Sequence, residues 1–149
     1  MTLWEFAVMA WDRPGVSEVC LRLQDRHGQC VPLLLWRAWA EAEGRCVQGE
    51  PLADALALAL MRERVTIAPL RSARRSLEAQ KSQPAVEAAR DAEIEAERAL
   101  LNALEELTPA PAPRVEAGGD LVAALDDLVD AWNGGRAHSA VGALAARLT

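Results

Sequence analysis

Three arginines offer the most distinctive chemistry in this sequence. In PLRSARRSLEAQK, Arg71, Arg74, Arg75 and Glu78 stand at i, i+3, i+4 and i+7, so a helix gathers them on one face while Leu70, Ala73 and Leu77 point elsewhere. Guanidinium forks bind carboxylates and phosphates through paired hydrogen bonds. From Arg62 to Lys81 there are six basic and two acidic residues, a local charge of +4 in a chain of net charge −6. Arg71, Arg74 and Arg75 are therefore candidate contacts for an acidic protein segment, or for a small anionic or phosphorylated ligand. A competing reading is internal. Residues 86–107 carry seven acids against Arg90 and Arg98, and in a helical hairpin the arginines would face Glu87, Asp91, Glu93 or Glu95 in surface ion pairs worth ~0–1 kcal/mol each.

Other constellations are weaker. Asp25, His27 and Cys30 have ligand chemistry, but they straddle a helix end and no second cluster completes a four-ligand site, so no metal is expected. The acids Asp126, Asp127 and Asp130 would need a facing acidic motif to clamp a magnesium diphosphate, and none is evident. Neither His27 nor His138 stands in a nucleophile arrangement, and no glycine-rich stretch matches a phosphate or dinucleotide loop. The sequence thus leans away from an enzyme, with no catalytic residue and no cofactor expected. Of the five tryptophans, Trp4, Trp11, Trp36 and Trp39 lie on core-like stripes, whereas Trp132 ends a helix near the C-terminus. Trp132 is the candidate anchor for a partner, with docking on its own bundle the equal alternative.

The elements that must position these residues are helices. Val31 to Glu43, VPLLLWRAWAEAE, is apolar around nearly its whole circumference and needs neighbours on several sides. Before it, Thr2-x-x-Glu5 is a capping box leading to a stripe at Trp4, Ala7, Val8 and Trp11. After the turn Asp12–Gly15, a second stripe runs through Val16, Val19, Cys20 and Leu23 to Gly28. Prolines 14, 32, 51, 69 and 84 recur near proposed helix starts, where a missing N–H is tolerated. Pro69 either separates two helices or kinks one. The fold expected is all-α: about six short helices over 1–107, an extended Pro/Gly-rich linker over 108–119, and a helical hairpin over 120–149 docked on the bundle.

Composition agrees with this. Ala and Leu supply most of the 51% apolar content, Tyr is absent, and period-two alternation is nowhere sustained. Cys20, Cys30 and Cys46 form no CxxC pair and read as reduced thiols. With no basic leader region and no apolar run of ~18 residues, a cytoplasmic protein without a membrane span is expected. The acidic balance disfavours nucleic acid, leaving weak binding through Arg62 to Lys81 as a third reading.

Trp4-x-Phe6, Pro14-Gly15-Val16, Cys20-Leu21-x-Leu23-Gln24-Asp25, Trp36 and Pro69-Leu70-Arg71-x-x-Arg74-Arg75-x-Leu77 together resemble a family of short proteobacterial proteins of unknown function. The resemblance covers about residues 3 to 80 and implies an all-helical cytosolic protein, with no activity attached. The function expected is a protein-interaction or adaptor module using the Arg71, Arg74 and Arg75 face. The alternative is an anionic ligand between helices, its apolar part packed on Trp36 or Trp39.

Overall fold

Ten consecutive residues, Val31 to Ala40, are buried in the computed structural model, and the other helices are arranged to bury them. The structure describes residues 1–111, 120–135 and 137–149. All regular structure among the described residues is helical: α1 Leu3–Trp11, α2 Val16–His27, α3 Val31–Ala42, α4 Glu50–Arg62, α5 Ala68–Ala79, α6 Gln83–Leu107, α7 Leu121–Asn133 and α8 His138–Leu148. Helix α3 touches α1, α2, α4, α6 and α7, as its all-round apolar surface demands. Even Arg37 is buried on it, paired with Glu41 at 2.6 Å one turn on. Pro32 occupies the first turn, and Gly44 follows the helix at φ 65°.

Local signals explain most helix ends. Glu5 N–H donates to Thr2 Oγ1 at 3.2 Å and Thr2 N–H to Glu5 Oε2 at 2.9 Å, so the capping box closes on α1. Gly15, at φ 79°, turns the chain into α2, and Gly28, at φ 63°, ends it. The α2 stripe of Val16, Val19, Cys20 and Leu23 is fully buried.

Pro69 does not break its helix. Between α4 and α5 lies one π-helical turn, Glu63–Ile67, in which Ala68 N–H reaches the Glu63 carbonyl, so the chain is helical from Glu50 to Ala79. A proline here has no N–H for the Val65 carbonyl and its ring would press on it; the wider turn relieves both problems.

Helix α1 departs from expectation. Its inner stripe is Leu3, Ala7 and Ala10, one residue round from Trp4, Val8 and Trp11. Ala7 and Ala10 let α1 approach α3 closely. The larger side chains are left outside, Val8 at 42% exposure and Trp11 at 40%. Trp11 is thus not a core residue, whereas Trp36 and Trp39 are wholly buried.

The first residue assigned to the linker is also structural. Thr108 is buried, donates Oγ1–H to the Leu104 carbonyl at 2.6 Å and accepts Trp36 Nε1–H at 2.7 Å. The Pro109 carbonyl accepts from Arg45 Nη1 at 3.1 Å. Residues 112–119 of the expected linker lie outside the described residues. Beyond them α7 packs on α3 and α8 on α2. Trp132 Nε1–H donates to the Gly28 carbonyl at 2.9 Å, Gln29 Nε2 to Asn133 Oδ1 at 2.9 Å, and Arg13 Nη1 to the Leu148 carbonyl at 2.6 Å. Trp132 therefore anchors the chain to itself.

Candidate binding site

The arginine face lies mostly against its own chain. Helix α5 has no fully buried residue and packs along α6 through this polar face. Arg71 places Nη1 2.7 Å from Glu63 Oε1, Nε 3.1 Å from Glu93 Oε1 and Nη2 3.7 Å from Glu97 Oε1. Arg74 takes the other oxygen of Glu93 at 2.6 Å and Glu78 at 3.1 Å. Glu93 is the buried acid at the centre, held bidentately by two guanidinium groups. Desolvation pulls the Arg71 pKa down, but the hydrogen bond and charge of Glu63, with Glu93 and Glu97, more than offset it and leave it raised. The hydrogen bond that Arg74 donates to Glu93 likewise raises the Arg74 pKa. Arg75 alone turns outward, meeting Asp25 of α2 at 2.6 Å where both side chains are about half exposed.

Of the acids expected to meet this face, only Glu93 does so. Glu97 lies one turn further along α6, and Glu63 arrives through the π turn. Residues eight apart in an uninterrupted α-helix diverge by about 80°. The one residue that the π turn adds makes eight behave like seven, about −20°, and this brings Glu63 over Arg71.

Four acids, Glu63, Glu78, Glu93 and Glu97, thus share three arginines, because Arg90 also reaches Glu78 at 3.4 Å. The excess negative charge falls at Glu97. Its carboxyl is pushed up to about 7, first by burial and then by Glu93, with Arg71 opposing.

Glu97 also opens onto the other feature of this region, a groove of about 400 Å³ between α1 and α6. Trp4, Val8 and Trp11 line one side, Ile94 and Leu101 the other, and Val31 and Leu35 of α3 form the floor. Asp12 and Arg90 stand with Trp11 toward one end. Arg98 lies over the Trp4 ring at 4.8 Å. Val8, Trp11 and Ile94 are each at least 40% exposed, so the groove is an open, mainly apolar surface with Glu97 in its wall and Asp12 and Arg90 among its lining. Its only hint in the sequence is the Trp4–Trp11 stripe, which looks the same whether its own chain or a partner covers it.

The remaining candidates are placed elsewhere. Trp36 and Trp39 cannot line a pocket: both are fully buried, and Trp39 Nε1–H donates to the Met1 carbonyl at 3.0 Å. Arg45 covers the Trp39 ring at 4.6 Å. Burial pushes the Cys20 and Cys30 thiols up to about 12, which makes them poor nucleophiles, while Cys46 is exposed. Asp25 is held by Arg75, and His138 Nδ1 lies 2.9 Å from Asp126, which ties that acid of DDLVD to the start of α8. No group of three or more His, Cys, Asp or Glu among the described residues has metal-binding geometry, and no helix of the structure is long and apolar enough to cross a membrane.

Residues 2–104 match a family model described as a protein of unknown function, DUF2390. The chain belongs to this family. The match runs past the span of the sequence resemblance to include most of α6, so Glu93, Glu97 and every groove residue of this DUF2390 member fall inside it, whereas α7 and α8 fall outside. No curated protein and no solved structure matches the chain.

Proposed function

We propose that this DUF2390 protein is a non-enzymatic interaction module whose binding surface is the α1–α6 groove, and that its occupant is an amphipathic helix of another protein. One observation carries this reading: Val8, Trp11 and Ile94 form an exposed apolar surface beside one partly desolvated carboxyl. Small-molecule sites enclose most of their ligand. This groove leaves Val8, Trp11 and Ile94 at least 40% exposed, which favours a helix laying apolar side chains into it at i, i+3, i+4 and i+7. Arg71 and Arg74 then serve to hold α5 on α6 and fix the wall that carries Glu97. Arg75 remains accessible at the edge of the arginine face.

Affinity purification from the native host tests the assignment. The double variant Val8→Glu, Ile94→Glu alters two exposed side chains, so it should fold with nearly unchanged stability and lose the partner that the wild type retains. Arg75→Glu should retain it. The opposite pattern would move the site to the arginine face.

A further inference from the structure

We infer that the helix accepted by the groove presents a lysine or arginine side chain, flanked by apolar residues, to the carboxylate of Glu97. The inference deepens the groove reading and rests on it. Charge complementarity supports it: the protein carries −6 overall, and the polar network behind the groove has one more acid than it has arginines.

Charged and titratable groups surround Glu97 on several sides, among them the buried Cys30 thiol at the start of α3 and Arg98, its neighbour on α6, over the Trp4 ring. From α5 come Arg71, at 3.7 Å and beyond hydrogen-bond distance, and Arg74; the π turn contributes Glu63 and α6 contributes Glu93. In the groove itself, Asp12 stands on α1 and Arg90 on α6, with Arg90 turned to Glu78. The α3 floor beside it is apolar, Val31 and Leu35. Arg71 and Arg74 are bound more closely by Glu63, Glu78 and Glu93, at 2.6 to 3.1 Å, than Arg71 is by Glu97. With its carboxyl pushed up to about 7, Glu97 carries a proton in about half of the free molecules at neutral pH. An ammonium or guanidinium group arriving from the groove takes the place of that proton, which leaves to solvent. Trp4 and Trp11, two turns apart on α1, offer aromatic surface to the aliphatic stem of such a side chain.

Two synthetic amphipathic helical peptides, identical except for Lys or Met at the centre of the apolar face, provide the test with the full-length protein. At pH 8 the Lys peptide should bind about tenfold more tightly, as a close charge pair provides. Its affinity should fall as the pH drops from 8 to 6 and Glu97 takes up its proton. Glu97→Gln should remove both the preference and the pH dependence, with unfolding at pH 5 confirming that the variant is folded. Equal binding of the two peptides would overturn the inference and leave the groove reading standing. Failure of both to bind would overturn inference and groove reading together, and a preference that survives Glu97→Gln would show that another acid makes the contact.

Discussion

Glu97 concentrates the cost and the use of this surface in one side chain. Its folded-state pKa is raised, so between the ordinary carboxylate range and about pH 7 the native protein binds more protons than the unfolded chain. Stability contributed through this group is accordingly greatest below about pH 4.5, falls as the pH rises through 7, and is level above that. Glu97→Gln should unfold at higher urea than the wild type at pH 8 and at nearly the same urea at pH 5. A wild-type midpoint that rose through this window, with the variant following it, would contradict the assignment. Glu93 differs although it stands one turn away: two guanidinium groups pair with its two oxygens, at 3.1 and 2.6 Å. Neighbouring glutamates of one helix thus differ in how many arginines each can reach. The sequence pointed to the arginine face, because helical periodicity reports which residues share a face, and offered Glu93 as one of four acids opposite it. Glu97 was not among the acids it offered, because desolvation depends on what lies across the gap.

At the scale of elements, two joints set the geometry. The π turn at Glu63–Ile67 rotates α5 relative to α4 and brings Glu63 over Arg71. The turn at Gly15 sets α2 against α1 and lies under α8, where an added Cβ would stand 2.6 Å from Arg147 Nε. At φ 79° any other L-residue is strained. Gly15→Ala should therefore cost about 1–2 kcal/mol in urea unfolding; a change within ~0.3 kcal/mol would show that the loop relaxes freely. Pro69 was a visible signal, but its outcome was not legible. A kink, a break and a π turn all satisfy a missing N–H, and the packing of α4 and α5 on α6 selected the last.

For the whole molecule, the C-terminal hairpin is held by a small set of polar contacts around apolar packing. Trp132→Phe keeps an aromatic ring, though a smaller one, and removes the hydrogen bond to Gly28, worth about 1 kcal/mol. Hydrogen exchange should accelerate in α7 and α8 while α3 and α6 keep their protection; uniform acceleration would mean that hairpin and bundle open as one unit. The start of the expected linker, Thr108, is packed rather than extended. The proline pattern suited an extended connection, yet Thr108 is fixed in the core by Trp36, a partner 72 positions away.

The sequence by itself determined the helical class, most helix starts and stops, and the centrality of Val31 to Ala40, because caps, prolines and apolar periodicity act over a few residues. The tertiary structure decided where the surface was left unfinished. Arg71 and Arg74 became internal supports because α6 brought acids within reach, and Trp11 became a groove wall because Leu3, Ala7 and Ala10 let α1 settle on α3 one residue round from its most apolar stripe. An amphipathic face states that it must be covered; only packing states whether the same chain covers it.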